Sequence, residues 1–147
     1  MNKFTLKNFV SRKPLRKFFF EHFKQILHKF YLYFFLKDDY LDCYGDPKVI
    51  GKIGRDIEEN KCSWLIVQAL LHANPEQKKL LEKHYGRDNA ADVAVVKKIY
   101  NEIGIAKIYK DYEEQSYQSI KRLINDCHSM PSAVFTDLLG QIYKRSL

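Results

Sequence analysis

Apolar residues recur at helical spacing along nearly the whole chain, and this periodicity limits the fold to helices packed on one another. Near the N-terminus the apolar positions three or four residues apart are Phe19, Phe23, Ile26, Leu27, Phe30 and Phe34. Such spacing places side chains on one face of an α-helix. Gly (6) and Pro (4) are scarce among the 147 residues, which disfavours many short strands joined by tight turns. The sequence therefore predicts an all-α fold.

Further helices are predicted in the second part of the chain. Apolar spacing and boundary residues indicate helices over residues 61–73, 75–85, 90–103, 105–127 and 131–144. Asn74 and Pro75 form a typical helix start, because Asn caps free N–H groups and Pro fits the first helical turn. Gly86 and Gly104 indicate helix ends. Residues 45–56 contain three Gly and one Pro and are predicted to form a loop, a common place for binding sites.

The composition changes sharply near Lys37. Residues 1–37 contain nine Lys or Arg and one acid, Glu21, so this segment carries a charge of +8. Since the whole chain carries +7, residues 38–147 sum to −1. Nine of the ten Phe also lie in the first segment. The basic character therefore belongs to a Phe-rich helical segment and does not indicate a nucleic-acid partner for the whole chain.

The basic segment, residues 1–37, has three possible explanations. In the first, it is a helix that packs its Phe stripe on the rest of the chain. In the second, it is a basic amphipathic helix that binds a membrane surface or serves as an organelle-targeting leader. In the third, it is a segment foreign to this fold. Ser11 is its only serine, which disfavours a leader. The chain has no run of 18 apolar residues, so no spanning helix is predicted.

Cysteine usage bears on the compartment of the protein. Cys43, Cys62 and Cys127 are odd in number and lack C-x-x-C spacing, so neither a disulfide framework nor a structural zinc site is predicted. The cysteine pattern therefore indicates a reducing compartment. We expect a cytoplasmic location, with a mitochondrial one as the alternative.

The acidic run Asp38-Asp39-Tyr40-Leu41-Asp42 contains the only adjacent Asp pair in the chain. On a helix, Asp38 and Asp42 lie one turn apart on the same face, and Asp39 is rotated by about 100° from Asp38. Carboxylates near the C-terminal end of a helix repel one another and oppose the helix dipole, so a cation would stabilise them. Mg²⁺ suits this arrangement because it takes one or two carboxylates and leaves positions for water and phosphate. A solvated acidic turn is the alternative.

Two lysines follow the acidic run closely. Lys52 lies in the Gly-flanked loop and Lys61 lies at a predicted helix start. Ammonium groups beside metal-binding carboxylates suit a diphosphate, because they neutralise the phosphate oxygens that the metal does not bind. Gly51-Lys52 is not a P-loop, since the earlier glycine spacing and the following Ser or Thr are absent. The residues therefore predict a magnesium-dependent diphosphate site.

Several segments resemble a known family of enzymes. The residues from Asp38 read DDYLDCYGDP, then GKIGRDIEENKCSW, and later ANPEQ, HYGR, YEEQSY and IYKR. These motifs resemble the second aspartate-rich region and the C-terminal portion of farnesyl diphosphate synthases, which are trans-prenyltransferases of the polyprenyl synthetase family. The resemblance covers about residues 38–145. It implies a partial isoprenoid-synthase-type helical bundle.

The resemblance also implies an activity. Family members are transferases of isoprenoid biosynthesis that use Mg²⁺ to condense an allylic diphosphate with isopentenyl diphosphate, and the resemblance implies a homodimer. The resemblance assigns the carboxylates Asp38, Asp39 and Asp42 to magnesium, and among them Asp38 and Asp42 would serve the metal directly. The site depends on stabilising the charge of the departing diphosphate.

Other positions receive roles from the same resemblance. Lys52 and Lys61 are the catalytic candidates and would hold the allylic diphosphate. Asp56 would orient a lysine or a metal-bound water. Arg145 would approach the isopentenyl diphosphate.

The chain departs from the family pattern in ways that affect the expected activity. Family members carry an earlier D-D-x-x-D followed by an Arg pair and an upstream G-x-K-x-x-R, and this sequence contains neither. Phe34-Phe35-Leu36-Lys37 replaces the family's aromatic-Gln run before the second motif, so that Phe35 stands where a polar residue is expected and Lys37 directly precedes the motif. We therefore expect a truncated synthase-like chain with little activity alone. The alternative is a non-catalytic interaction module that pairs with a full-length synthase.

Overall fold

The computed structural model describes residues 7–126 and 132–143, and these residues form seven helices and no strand. The helices are α1 (Lys7–Tyr44), α2 (Pro47–Ile50), α3 (Trp64–His72), α4 (Pro75–His84), α5 (Ala90–Ile103), α6 (Ile105–Asp126) and α7 (Ser132–Tyr143). The predicted all-α fold is confirmed. None of these helices is long and apolar enough to cross a membrane.

Helix α1 is 38 residues long and passes without a break through Lys37, where the composition changes. Its buried side chains Ile26, Phe30 and Tyr33 pack on α6 and α7. A helix that continues through Lys37 is compatible with one unit and also with two. The predicted division into residues 1–37 and 38–147 therefore stays a prediction.

The buried stripe of α1 differs in part from the predicted one. Leu27 and Phe34, which were predicted to be inward, are exposed, and Tyr33 and Lys37 are buried instead. Buried positions 26, 30, 33 and 37 follow one line along the helix, because alternating steps of four and three residues keep a narrow seam facing a packed neighbour. Phe34 lies one residue past this seam and faces outward.

The C-terminal part of α1 packs into a second core. This core is built from side chains of α3 to α6 together with Tyr40 of α1 and Ile57 of the following loop. The rings of Tyr40 and Tyr109 stack with centroids 3.9 Å apart. Lys97 of α5 donates a hydrogen bond to the carbonyl of Cys43 (3.1 Å), which satisfies one of the free carbonyls at the end of α1. The end of α1 is therefore held firmly in place.

The predicted boundaries of α4 and α5 are confirmed. Asn74 and Gln77 form a reciprocal capping box at the start of α4. The side chain of Asn89 caps α5 by accepting from the N–H of Ala91, and Gly104 ends that helix with a left-handed φ of 79°. The predicted loop over residues 45–56 contains one helical turn, α2, whose N-cap is Asp46.

Candidate functional site

Asp38 and Asp42 lie one turn apart near the C-terminal end of α1 and share one cation. The ammonium of Lys52 lies 3.4 Å from both carboxylate oxygens of Asp38 and 3.7 Å from Oδ1 of Asp42. Asp42 is nearly enclosed, whereas Asp38 and Lys52 are more exposed. The two carboxylates therefore face a common point, and a positive charge already occupies it.

Asp39 faces a different direction. Its Oδ2 accepts a hydrogen bond from the backbone N–H of Trp64 (2.8 Å), the first residue of α3, and its Oδ1 accepts from Lys61 (2.9 Å). A carboxylate is stabilised there because the first N–H groups of a helix lack partners within the helix and carry partial positive charge. Asp39 therefore anchors the start of α3 to the end of α1.

The three carboxylates of the predicted site do not all face one point. Among residues 7–126 and 132–143, no group of three or more His, Cys, Asp or Glu is arranged to hold a metal ion. Asp39 does not join Asp38 and Asp42, because the rotation of about 100° between neighbouring helical residues turns it towards α3. Of the three candidate carboxylates, Asp38 and Asp42 therefore share Lys52 and Asp39 contacts Lys61 and α3, and their assignment to a metal stays a prediction.

Lys61 is held between two carboxylates. Its ammonium lies 2.9 Å from Oδ1 of Asp39 and 2.8 Å from Oδ2 of Asp56. Partial burial alone would lower the pKa of Lys61, but the hydrogen bonds to Asp56 and Asp39 outweigh burial and raise it above the ordinary value. Lys61 is therefore a fixed positive charge at neutral pH.

Asp56 connects this lysine to the carboxylate pair. Its side chain holds Lys61, and its backbone N–H donates to Oδ2 of Asp42 (2.9 Å). Burial raises the pKa of Asp56, as do the neighbouring charges of Asp42 and Asp39, and the hydrogen bond from Lys61 opposes them. The resemblance implied that Asp56 orients a lysine or a metal-bound water, and Asp56 does contact a lysine. The orienting role of Asp56 stays a prediction.

Gly54 allows the loop to pass close to α1. A Cβ at this position would lie 1.6 Å from the backbone oxygen of Asp42, which no side chain can tolerate. Tyr85 of the α4–α5 region supports the other end of the loop by donating to the carbonyl of Lys61 (2.7 Å). The loop therefore carries both Lys52 and Lys61 to the end of α1.

The resulting cluster is acidic overall. Four aspartates, Asp38, Asp39, Asp42 and Asp56, surround two lysines, which leaves a formal charge of −2. Such a cluster attracts cations, while its two ammonium groups can donate hydrogen bonds to an anion. The arrangement suits an anion that arrives together with a divalent cation.

An ion pair outside this cluster was not predicted from the sequence. Lys37 of α1 lies 2.9 Å from Oε1 of Glu113 on α6, and both side chains are mostly buried, with 8% and 18% of their surface exposed. Tyr33 and Tyr109 donate to the same carboxylate oxygen, each at 3.3 Å. A basic residue that interrupts an apolar helix stripe was the available signal.

Arg145 lies outside the described residues.

The fold and the cluster together define an all-helical protein that gathers four aspartates and two lysines where its longest helix ends. A sequence model described as polyprenyl synthetase matches residues 8–103. The chain belongs to the polyprenyl synthetase family. The match begins at residue 8, upstream of the change in composition at Lys37, whereas the motifs quoted above begin at Asp38.

Individual relatives are farnesyl diphosphate synthases. The chain is 59% identical over 124 residues to farnesyl diphosphate synthase of Dictyostelium discoideum and 47% identical over 114 residues to farnesyl pyrophosphate synthase of Rattus norvegicus. These matches cover 84% and 77% of this chain but 32% of each relative. The chain thus spans about a third of the length of the curated relatives that it matches.

Solved structures agree with the sequence comparison. The T. brucei farnesyl diphosphate synthase complexed with risedronate superposes with a TM-score of 0.83 at 31% identity, covering 87% of this chain and 37% of that one. The T. brucei enzyme in complex with 2-(5-chlorobenzo[b]thiophen-3-yl)acetic acid gives a TM-score of 0.81. The predicted resemblance to this family and to its helical fold is confirmed.

Proposed function

We propose that the cluster at the end of α1 is a site for a magnesium-bound diphosphate, within a farnesyl diphosphate synthase-like chain. The observation that carries the proposal is that one ammonium, Lys52, is shared by Asp38 and Asp42 while a second, Lys61, is fixed between Asp39 and Asp56. The ligand class is an allylic prenyl diphosphate, as the relatives' names suggest.

The residues present fit a magnesium ion. Asp38 and Asp42 offer carboxylate oxygens to one point, and the ammonium found there shows that the point accepts positive charge. Two carboxylates leave room for water and phosphate oxygens around Mg²⁺. When bound, the ion would neutralise the diphosphate and favour its departure from the allylic carbon.

The lysines act on the same diphosphate in different ways. Lys61 uses two of its three N–H donors on Asp39 and Asp56, which leaves one donor for a phosphate oxygen. Lys52 is exposed and lies in a Gly-flanked loop, so it can move from the carboxylate pair to the phosphate when a metal ion takes its place. Asp39 and Asp56 therefore position Lys61, and Lys52 closes on the ligand.

Isothermal titration of inorganic pyrophosphate in the presence of Mg²⁺ tests the proposal. Lys52→Ala is expected to weaken binding about tenfold or more, because it removes a charge-assisted hydrogen bond. Lys48→Ala is the matched control, since Lys48 is exposed in the same loop and is expected to leave the affinity unchanged. Equal affinities for the wild type and both variants would contradict the proposal.

We propose further that the described chain alone catalyses little or no condensation. It spans about a third of its relatives, and its sequence lacks the earlier D-D-x-x-D motif. An assay with radiolabelled isopentenyl diphosphate and geranyl diphosphate checks this. Turnover within a few orders of magnitude of the Dictyostelium discoideum synthase would overturn it.

A non-catalytic role beside a full-length synthase is the second candidate, favoured by the same short span. Co-purification with that synthase, together with diphosphate binding and no turnover, would support it.

For the compartment we propose the cytoplasm, since the described cysteines, Cys43 and Cys62, are free thiols.

A further inference from the structure

The motif HYGR, residues 84–87, forms the turn that joins α4 to α5. This turn is fixed on the α4 side, where the N–H of Tyr85 donates to the carbonyl of Leu81 (2.8 Å), a fully buried residue. It is fixed on the α5 side by His84, whose ring nitrogen Nδ1 contacts the carboxylate of Asp92, and both of these side chains are mostly buried. The turn is therefore a firm base for the segment that packs on it.

The segment that leads to Lys61 packs on this turn. The N–H of Gly86 donates to the carbonyl of Ile57 (2.9 Å), and a Cβ at Gly86 would lie 2.8 Å from the Cβ of Asn60. Asn60, directly before Lys61, has a left-handed φ of 55°. Asn adopts this conformation more readily than most residues, but at a cost that the surrounding structure must balance. The turn therefore determines the backbone course of residues 57–60.

The hydroxyl of Tyr85 reaches the backbone of Lys61 itself. It donates to the carbonyl of Lys61 (2.7 Å) and lies 3.4 Å from the carbonyl of Asp56. The N–H of Lys61 donates to the same carbonyl of Asp56 (3.0 Å), and the side chains of these two residues form an ion pair (2.8 Å). Burial raises the pKa of Tyr85, so its hydroxyl stays a donor at neutral pH. One hydroxyl thus bears on the backbone of both partners of the ion pair.

We propose that Tyr85 is a positioning residue of the diphosphate site, because its hydroxyl fixes the backbone of Lys61 and thereby the direction of the Lys61 ammonium. The assignment rests on the proposed magnesium-bound diphosphate site and adds a group that acts on the ligand through Lys61. The ammonium of Lys61 is carried on a flexible four-carbon stem, so it can contact Asp39 and Asp56 from more than one backbone position. Only a fixed backbone leaves the remaining N–H donor pointing at one place, as a bound phosphate oxygen requires.

Titration calorimetry with inorganic pyrophosphate and Mg²⁺ measures the effect of the hydroxyl alone. Tyr85→Phe is expected to weaken binding about fivefold, because the ammonium of Lys61 loses its fixed direction. Tyr44→Phe is the matched control and is expected to leave the affinity unchanged, since the hydroxyl of Tyr44 is buried without a hydrogen-bond partner among the described residues. In a Lys61→Gln background, Tyr85→Phe is expected to have no further effect, because the group that it positions is gone. Equal affinities for Tyr85→Phe and the wild type would overturn the assignment, as would effects of the two substitutions that multiply.

Nuclear magnetic resonance of the ligand-free chain separates this assignment from the proposed function. The Lys61 ammonium, identified by the loss of its signal in Lys61→Gln, is expected to give a sharp proton–nitrogen correlation, since two carboxylates slow its exchange with water. Tyr85→Phe is expected to broaden that signal, and Tyr44→Phe is expected to leave it sharp. A wild type without a sharp signal, or a signal that Tyr85→Phe leaves unchanged, would overturn the assignment. A wild type that does not bind magnesium pyrophosphate would overturn the proposed function, while a broadened signal in Tyr85→Phe would still support the hold of Tyr85 on Lys61.

Discussion

At the scale of single residues, Gly54 sets the closest approach in the site. Replacing Gly54 with Ala forces the loop away from α1, because the new Cβ would fall 1.6 Å from the backbone oxygen of Asp42. We expect the free energy of unfolding to drop by about 2 kcal/mol or more, as for other severe steric substitutions. Urea titration followed by circular dichroism measures this change.

Gly140 provides the control for this substitution. Gly140 lies within α7, and a Cβ there would meet nothing within 4 Å. Gly140→Ala is therefore expected to stabilise the protein by roughly 0.5–1 kcal/mol. If Gly54→Ala proved as stable as Gly140→Ala, the described path of the loop would be wrong.

The buried pair of Lys37 and Glu113 gives a second prediction at this scale. Lys37→Met leaves the carboxylate of Glu113 without its cation, and we expect a loss of about 3 kcal/mol in the free energy of unfolding. The double variant Lys37→Met with Glu113→Gln removes both charges and keeps an acceptor for Tyr33 and Tyr109, so it should recover most of the loss. A single variant as stable as the double variant would refute a buried, mutually dependent pair.

Single residues also show where prediction from the sequence ends. The pairing of Asp38 with Asp42 follows from helical spacing alone, and the structure places both on Lys52. The direction of Asp39 depends on where α3 begins, and that contact spans 25 residues of sequence. The partner of Lys37 on α6 lies 76 residues away. Local patterns do not encode such distant contacts.

At the scale of helices, the start of α4 depends on a capping box. Asn74→Ala removes the side-chain acceptor for the N–H of Gln77, and we expect the free energy of unfolding to fall by about 1 kcal/mol. Asn101→Ala, within α5, should be neutral or slightly stabilising because alanine is the better helix former. Thermal unfolding of the two variants checks the difference, and equal melting temperatures would argue against the cap.

Helix boundaries were predictable from the sequence where a capping residue marks the start or end of the helix. Asn74, Asn89 and Gly104 act as caps in the structure as their residue types suggest. The inward face of α1 was less predictable, because aromatic residues lie on several sides of this helix and apolar spacing alone does not choose between them. Packing on α6 and α7 makes that choice.

At the scale of the whole molecule, the chain holds a compact part of a larger family fold. It spans about a third of its curated relatives, yet its described helices superpose on a T. brucei synthase with a TM-score of 0.83. The carboxylate pair and the two lysines are all contributed by α1 and the loop that follows it, so they assemble without the remainder of that fold. We therefore expect binding of a diphosphate and catalysis of its transfer to be separable properties in this chain.

The most direct test of this account is the thermal stability of the chain with Mg²⁺ and pyrophosphate together. At ten times the dissociation constant, binding should add about 1.4 kcal/mol to the free energy of unfolding and raise the melting temperature of the wild type by a few degrees. Asp111→Asn, an exposed change on α6, should keep this rise. The double variant Asp38→Asn with Asp42→Asn is expected to lose the rise, and an unchanged rise in that variant would contradict a magnesium-bound diphosphate site at this carboxylate pair.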